Sequence, residues 1–166
     1  MQHDFDFLFG TWHIEHHLRR RWLDACDEWD VSEGGAVCAP VLGGVGNFDQ
    51  IWMPSRGAVG ATFRLFDTDS AHWTIHWASS ASGRLDPTMT GTFADGVGTF
   101  RGSDTHQGRP VAIRFVWDEI TPTAARWSQA FAPDGTEDWE TNWVMRFRRV
   151  SADADAATTR AGVVPA

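Results

Sequence analysis

Thr11-Trp12-His13-Ile14-Glu15-His16-His17-Leu18-Arg19-Arg20-Arg21-Trp22 is the stretch that decides the fold. Its even positions read Trp12, Ile14, His16, Leu18, Arg20 and Trp22; its odd positions read Thr11, His13, Glu15, His17, Arg19 and Arg21. Large apolar residues therefore recur at every second position, the period of a half-buried strand, whereas a helix would repeat them at i+3 and i+4. A strand also disperses the histidines. His13 and His17 share a face but lie ~13 Å apart at ~3.3 Å per residue, and His16 points the other way. No zinc site is expected within this segment, and no metal elsewhere.

The same period continues along the chain. Trp29 to Val41 reads as an irregular second strand, followed by Phe48-Asp49-Gln50-Ile51-Trp52, Ala58 to Phe66, His72 to Ala78 and Leu85 to Phe93. Val97 to Gly102, Val111 to Trp117, Arg126 to Phe131 and Trp139 to Phe147 complete the set. Turn signals separate them, including Gly43-Gly44, Pro54-Ser55-Arg56-Gly57 and the hairpin pair Asp95-Gly96. Connections this short favour antiparallel, up-and-down pairing, because parallel strands need crossovers of about a dozen residues or more. A single sheet of about ten strands is too long to stay open, and closing it removes both edges. Strand spacing also admits two packed sheets. The expected fold is all-β: an antiparallel barrel over residues 1–150, with an Ala/Thr/Asp-rich disordered tail at 151–166.

Composition narrows the function. Ten Trp and eleven Phe with no Tyr give an interior rich in rings and free of phenol hydroxyls. Every basic side chain is Arg, so lysine Schiff-base chemistry is excluded. A net charge of −8 argues against nucleic acid, which needs clustered basic surface. Arg19-Arg20-Arg21 splits across both faces of its strand and reads as a solvated strand end. No apolar run is long enough for a membrane helix, and the start lacks signal-peptide features. Cys26 and Cys38 have no metal-type spacing, and a reduced, cytoplasmic setting is expected.

The pattern Phe5-x-Phe7-Leu8-x-Gly10-x-Trp12 resembles the opening of lipocalin-like (calycin) barrels. With Leu42-Gly43-Gly44, Leu65-Phe66-Asp67, His72-Trp73-x-Ile75-x-Trp77 and Asp138-Trp139-Glu140-Thr141-Asn142-Trp143, it is similar to uncharacterised bacterial members of that group. The resemblance implies a short N-terminal 3₁₀ plug and a closed floor under Trp12. It also implies an arginine from the last strand on that indole, supplied by Arg146, Arg148 or Arg149, and a ligand cavity above. Haem-binding barrels of the group use a histidine near the C-terminal end; the last histidine here is His106, so no haem and no other cofactor is expected.

If the aromatic face of each strand is the interior, Phe48, Trp52, Phe63, Leu65, Trp77, Phe115, Trp139 and Trp143 join Trp12 inside. His16, Gln50, Gln129 and Thr141 are then among the few polar residues on that face. An apolar cavity with a few placed polar groups is what a small-molecule site requires. The candidate ligand-binding residues are His16, Gln50, Trp52, Trp77, Phe115, Gln129, Thr141 and Trp143, and the expected ligand is small, apolar and aromatic or polycyclic. A cofactor-free isomerase, cyclase or lyase would use the same cavity with His16 as acid or base, the one inward group that titrates near neutrality. A structural or partner-binding barrel would fill its own lumen. Asp49 and Glu140 could act as bases only if their strand faces were inverted, and are expected to be exposed. Ligand identity and oligomeric state are not legible in the sequence.

Overall fold

The computed structural model describes residues 1–154. A 3₁₀ turn at Asp6–Leu8 precedes β1 (Gly10–Arg19), β2 (Trp29–Val41), β3 (Gly46–Met53), β4 (Ala58–Asp67) and β5 (His72–Ser79). There follow β6 (Arg84–Leu85), β7 (Met89–Ala94), β8 (Val97–His106), β9 (Arg109–Asp118), β10 (Ala124–Pro133) and β11 (Glu140–Ser151). All strand pairings among the described residues are antiparallel. Sequential neighbours pair around the sheet, β1 closes on β11, and β5 pairs with both β4 and β7, so every strand but the two-residue β6 belongs to one closed ring. The all-β barrel expected from the alternation, with its N-terminal 3₁₀ turn, is what forms. Asp95-Gly96 joins β7 to β8 as a two-residue hairpin, with Ala94 opposite Val97.

β11 runs through Ser151, and Thr11 donates a hydrogen bond to the Asp153 carbonyl at 3.0 Å. The rest of the expected tail, 155–166, lies outside the described residues. Among the described residues no helix is long and apolar enough to cross a membrane.

The N-terminal turn closes one end of the ring. Phe5 is fully buried and meets Trp73 and Phe93 edge-on, both at 4.9 Å, and stacks on Phe100 at 5.7 Å. Trp12 donates from its indole nitrogen to the Leu8 carbonyl at 2.7 Å. The Arg149 guanidinium lies 4.1 Å from the Trp12 ring and donates to the carbonyls of Phe7, Phe9 and Pro122. Of the three arginines the sequence left open, Arg149 is the one on Trp12. It ties the plug, the last strand and the β9–β10 turn together. Arg149→Met should cost about 2 kcal/mol in urea denaturation, the sum of a cation–π contact and charge-assisted bonds. Arg149→Lys should restore under half of it, because an ammonium cannot span three carbonyls in one plane.

Candidate functional site

Above this floor the barrel keeps a cavity of about 220 Å³. Its walls are Ile51 of β3, Thr62 and Arg64 of β4, Ile75 and Trp77 of β5, Met89 of β7, and Ile113, Phe115 and Trp117 of β9. Trp127, Gln129 and Phe131 of β10 and Trp143 and Met145 of β11 complete the wall. The lining also includes the exposed Asp86, Pro87, Asp104 and Thr105, so the cavity reaches solvent between the β5–β7 connection and the end of β8.

Rings build most of the upper wall. Phe115 meets Trp127 at 5.0 Å, and Trp127 meets Trp143 edge-on at 5.3 Å, spacings favourable for aromatic pairs. Trp22, from the loop after β1, stands across the mouth, stacked on His106 at 5.7 Å and edge-on to Phe131 at 5.1 Å. That loop is anchored by the Glu140 carboxylate, which accepts from the Leu23 amide at 2.6 Å and lies 3.6 Å from Arg19.

Glycines on the strands next to Trp77 and His16 leave room for these side chains. A Cβ at Gly60 would overlap the Trp77 indole, and one at Gly34 would come within 2.6 Å of His16 Nε2. This inverts the expected facing of β3 and β4. Asn47, Asp49, Ile51 and Met53 point inward, as do Thr62 and Arg64, whereas Phe48, Gln50, Trp52, Phe63 and Leu65 lie on the outer face. Phe48 pairs with Phe63 across the strands outside the barrel, because the rings of Trp77, Phe115, Trp127 and Trp143 already occupy the lumen.

The inward polar residues form a buried cluster. Arg64 donates to Asp49 at 2.6 Å and to the Asn47 side-chain carbonyl at 2.9 Å, and its guanidinium lies 5.2 Å from the Phe5 ring and 5.8 Å from Trp117. Arg64 is 4% and Asp49 3% exposed, so the ion pair is largely shielded from water and electrically neutral overall. Cys38 lies beside it, and burial, reinforced by the Asp49 charge, pushes its thiol far up, which keeps it protonated.

The candidate residues thus divide. Trp77, Phe115, Gln129 and Trp143 meet on the cavity wall. Gln129 donates to the fully buried Asn142 at 2.9 Å. Gln50 and Trp52 face outward on β3, correcting their expected position. Thr141 does not line the cavity: a bulge between Gln129 and Ala130 sets it opposite Ala130 and turns Glu140 towards the mouth, opposite Phe131. Trp139, expected inside, lies against the guanidinium groups of Arg114 at 4.5 Å and Arg101 at 5.3 Å.

His16 faces inward as expected and is 3% exposed, with neither ring nitrogen hydrogen-bonded among the described residues. It belongs to a neighbouring depression of about 380 Å³, shared with Ser32, Met53 and Arg56, and Trp143 is the wall between the two spaces. Burial, then the Arg56 charge, pushes its pKa down to about 4. Neutral at physiological pH, His16 offers a hydrogen-bonding ring and only a weak base. His13 and His17 lie on the outer side, paired with Glu33 and Glu15.

At the mouth, burial and then the Asp104 carboxylate raise the pKa of Asp86. What sequence reasoning missed is the Asn47–Asp49–Arg64 cluster. Its only sequence signal was an acid and a base placed to share one face of consecutive strands, outvoted by the aromatic residues beside them. No protein-family model matches the chain, and a search of curated proteins finds no similar one.

Proposed function

We propose that this chain is a lipocalin-like barrel that binds a small, apolar, ring-containing molecule in the cavity between Trp77, Phe115, Trp127 and Trp143. One observation carries the reading: a space of about 220 Å³, walled by rings and aliphatic side chains, stays open in a barrel whose closed half is filled. A cavity of ~150 Å³ suffices to hold benzene. One or two fused rings therefore fit. The plug, the Trp12–Arg149 contact and the ring of antiparallel strands support the lipocalin-like kinship. Two unpaired, buried cysteines support a reducing, cytoplasmic setting.

Intrinsic tryptophan fluorescence checks this directly. Naphthalene should quench the wild-type protein saturably, and Ile113→Trp, which places an indole in the cavity, should lose that quenching while keeping its β-sheet circular dichroism. If no small aromatic compound saturates the signal, or if the filled variant still binds, the reading is wrong.

A further inference from the structure

The polar atoms left over on the cavity wall say which ring compounds it suits. Trp117 Nε1, Trp143 Nε1 and Arg64 Nε are buried, belong to residues of the lining and have no acceptor among the described residues. Behind Gln129, the Asn142 side-chain amide nitrogen is in the same state. Each can only donate. The unpartnered acceptor nearby, Asp49 Oδ1, is balanced in its own cluster by the unpartnered Asn47 Nδ2. His16 and His106 can take either role. Among the buried, unpartnered atoms of the wall the surplus is therefore one of donors.

Charge narrows the choice further. The buried guanidinium of Arg64 is already neutralised by Asp49, so a ligand carboxylate would bring an uncompensated negative charge to the floor. It would also pass Asp86 and Asp104 at the mouth. An ammonium group carried to the floor would meet the Arg64 guanidinium and the indole N–H groups, and its solvation would not be replaced.

We propose that the preferred ligand is an uncharged fused-ring compound bearing acceptor oxygen, such as a cyclic aryl ketone or lactone, whose oxygen accepts from the indole N–H of Trp117 or Trp143. This deepens the binding reading above and rests on it.

Four compounds on one scaffold separate the possibilities by titration calorimetry at pH 7: indane, 1-indanone, 1-aminoindane and indane-1-carboxylate. The ketone should bind at least as tightly as indane, although its carbonyl favours water, and the amine and acid at least tenfold more weakly than the ketone. Trp143→Phe or Trp117→Phe should weaken 1-indanone at least tenfold more than it weakens indane. Should either variant fold poorly, the wild-type protein labelled with ¹⁵N gives a second readout. An indole N–H proton of Trp117 or Trp143 should move downfield with 1-indanone and not with indane. Tight indane binding with a tenfold weaker ketone and no such shift overturns the donor assignment and leaves the cavity reading intact. An acid or amine that outbinds the ketone also overturns it. If none of the four binds, both readings fall together.

Discussion

Asp49→Asn should destabilise the protein by about 3–5 kcal/mol, because it leaves the Arg64 guanidinium buried without its counter-charge. The substitution keeps the side-chain volume, so the loss reports charge and not a cavity. Arg64 has little alternative solvation: it is 4% exposed, touches Asp49 at 2.6 Å and Asn47 at 2.9 Å, and otherwise faces the Phe5 and Trp117 rings. Removing both charges removes the problem. Asp49→Asn/Arg64→Met should recover at least half of the single-variant loss, a coupling that a double-mutant cycle by urea denaturation measures. A single-variant loss under about 1 kcal/mol would mean that the pair is solvated in a way its burial does not allow.

Acidification should destabilise the protein through His16 by an amount on the order of 2–3 kcal/mol between pH 7 and pH 4.5. The sign follows from burial. The folded state holds the ring neutral, with its pKa pushed down from 6.5 to about 4 by burial first, then by the charges of Arg56, His13 and His17. Below pH 6.5 the unfolded chain takes up a proton that the folded chain refuses, so stability falls as pH drops until the folded pKa is reached. His16→Met should lack this component. Other groups titrate over the same range, and the difference between wild type and variant in denaturation at the two pH values isolates the histidine. Equal pH dependence in both proteins would show that the ring is protonated while folded.

The barrel was legible because its alternation is local. Trp12, Ile14, His16 and Leu18 on β1 and Ile113, Phe115 and Trp117 on β9 face inward as the period of two requires. The wall of the site was half legible for a physical reason. Assigning the interior to the more aromatic face works where one strand supplies the rings and fails where it must receive them. β3 and β4 receive: Gly60 accommodates Trp77, and the strands' own rings, Phe48, Trp52 and Phe63, are displaced to the outer face. Asp49 and Glu140 illustrate the same limit, since both were expected to be exposed. Asp49 is held inside by a partner one strand away, Arg64, and Glu140 is turned towards the mouth by a one-residue bulge that no composition signals. Long-range filling of the lumen and bulge register are properties of the closed ring, not of any single strand.

The ten indoles provide the most direct check on where a ligand sits. Trp22, Trp77, Trp117, Trp127 and Trp143 line the cavity; Trp12, Trp29, Trp52, Trp73 and Trp139 do not. In a ¹⁵N-correlated spectrum of the indole N–H groups, saturating 1-indanone should shift resonances of the first set and leave the second within the linewidth. Shifts confined to Trp29, Trp52 or Trp139, or no shift in any of the ten, would contradict a ligand site inside the barrel.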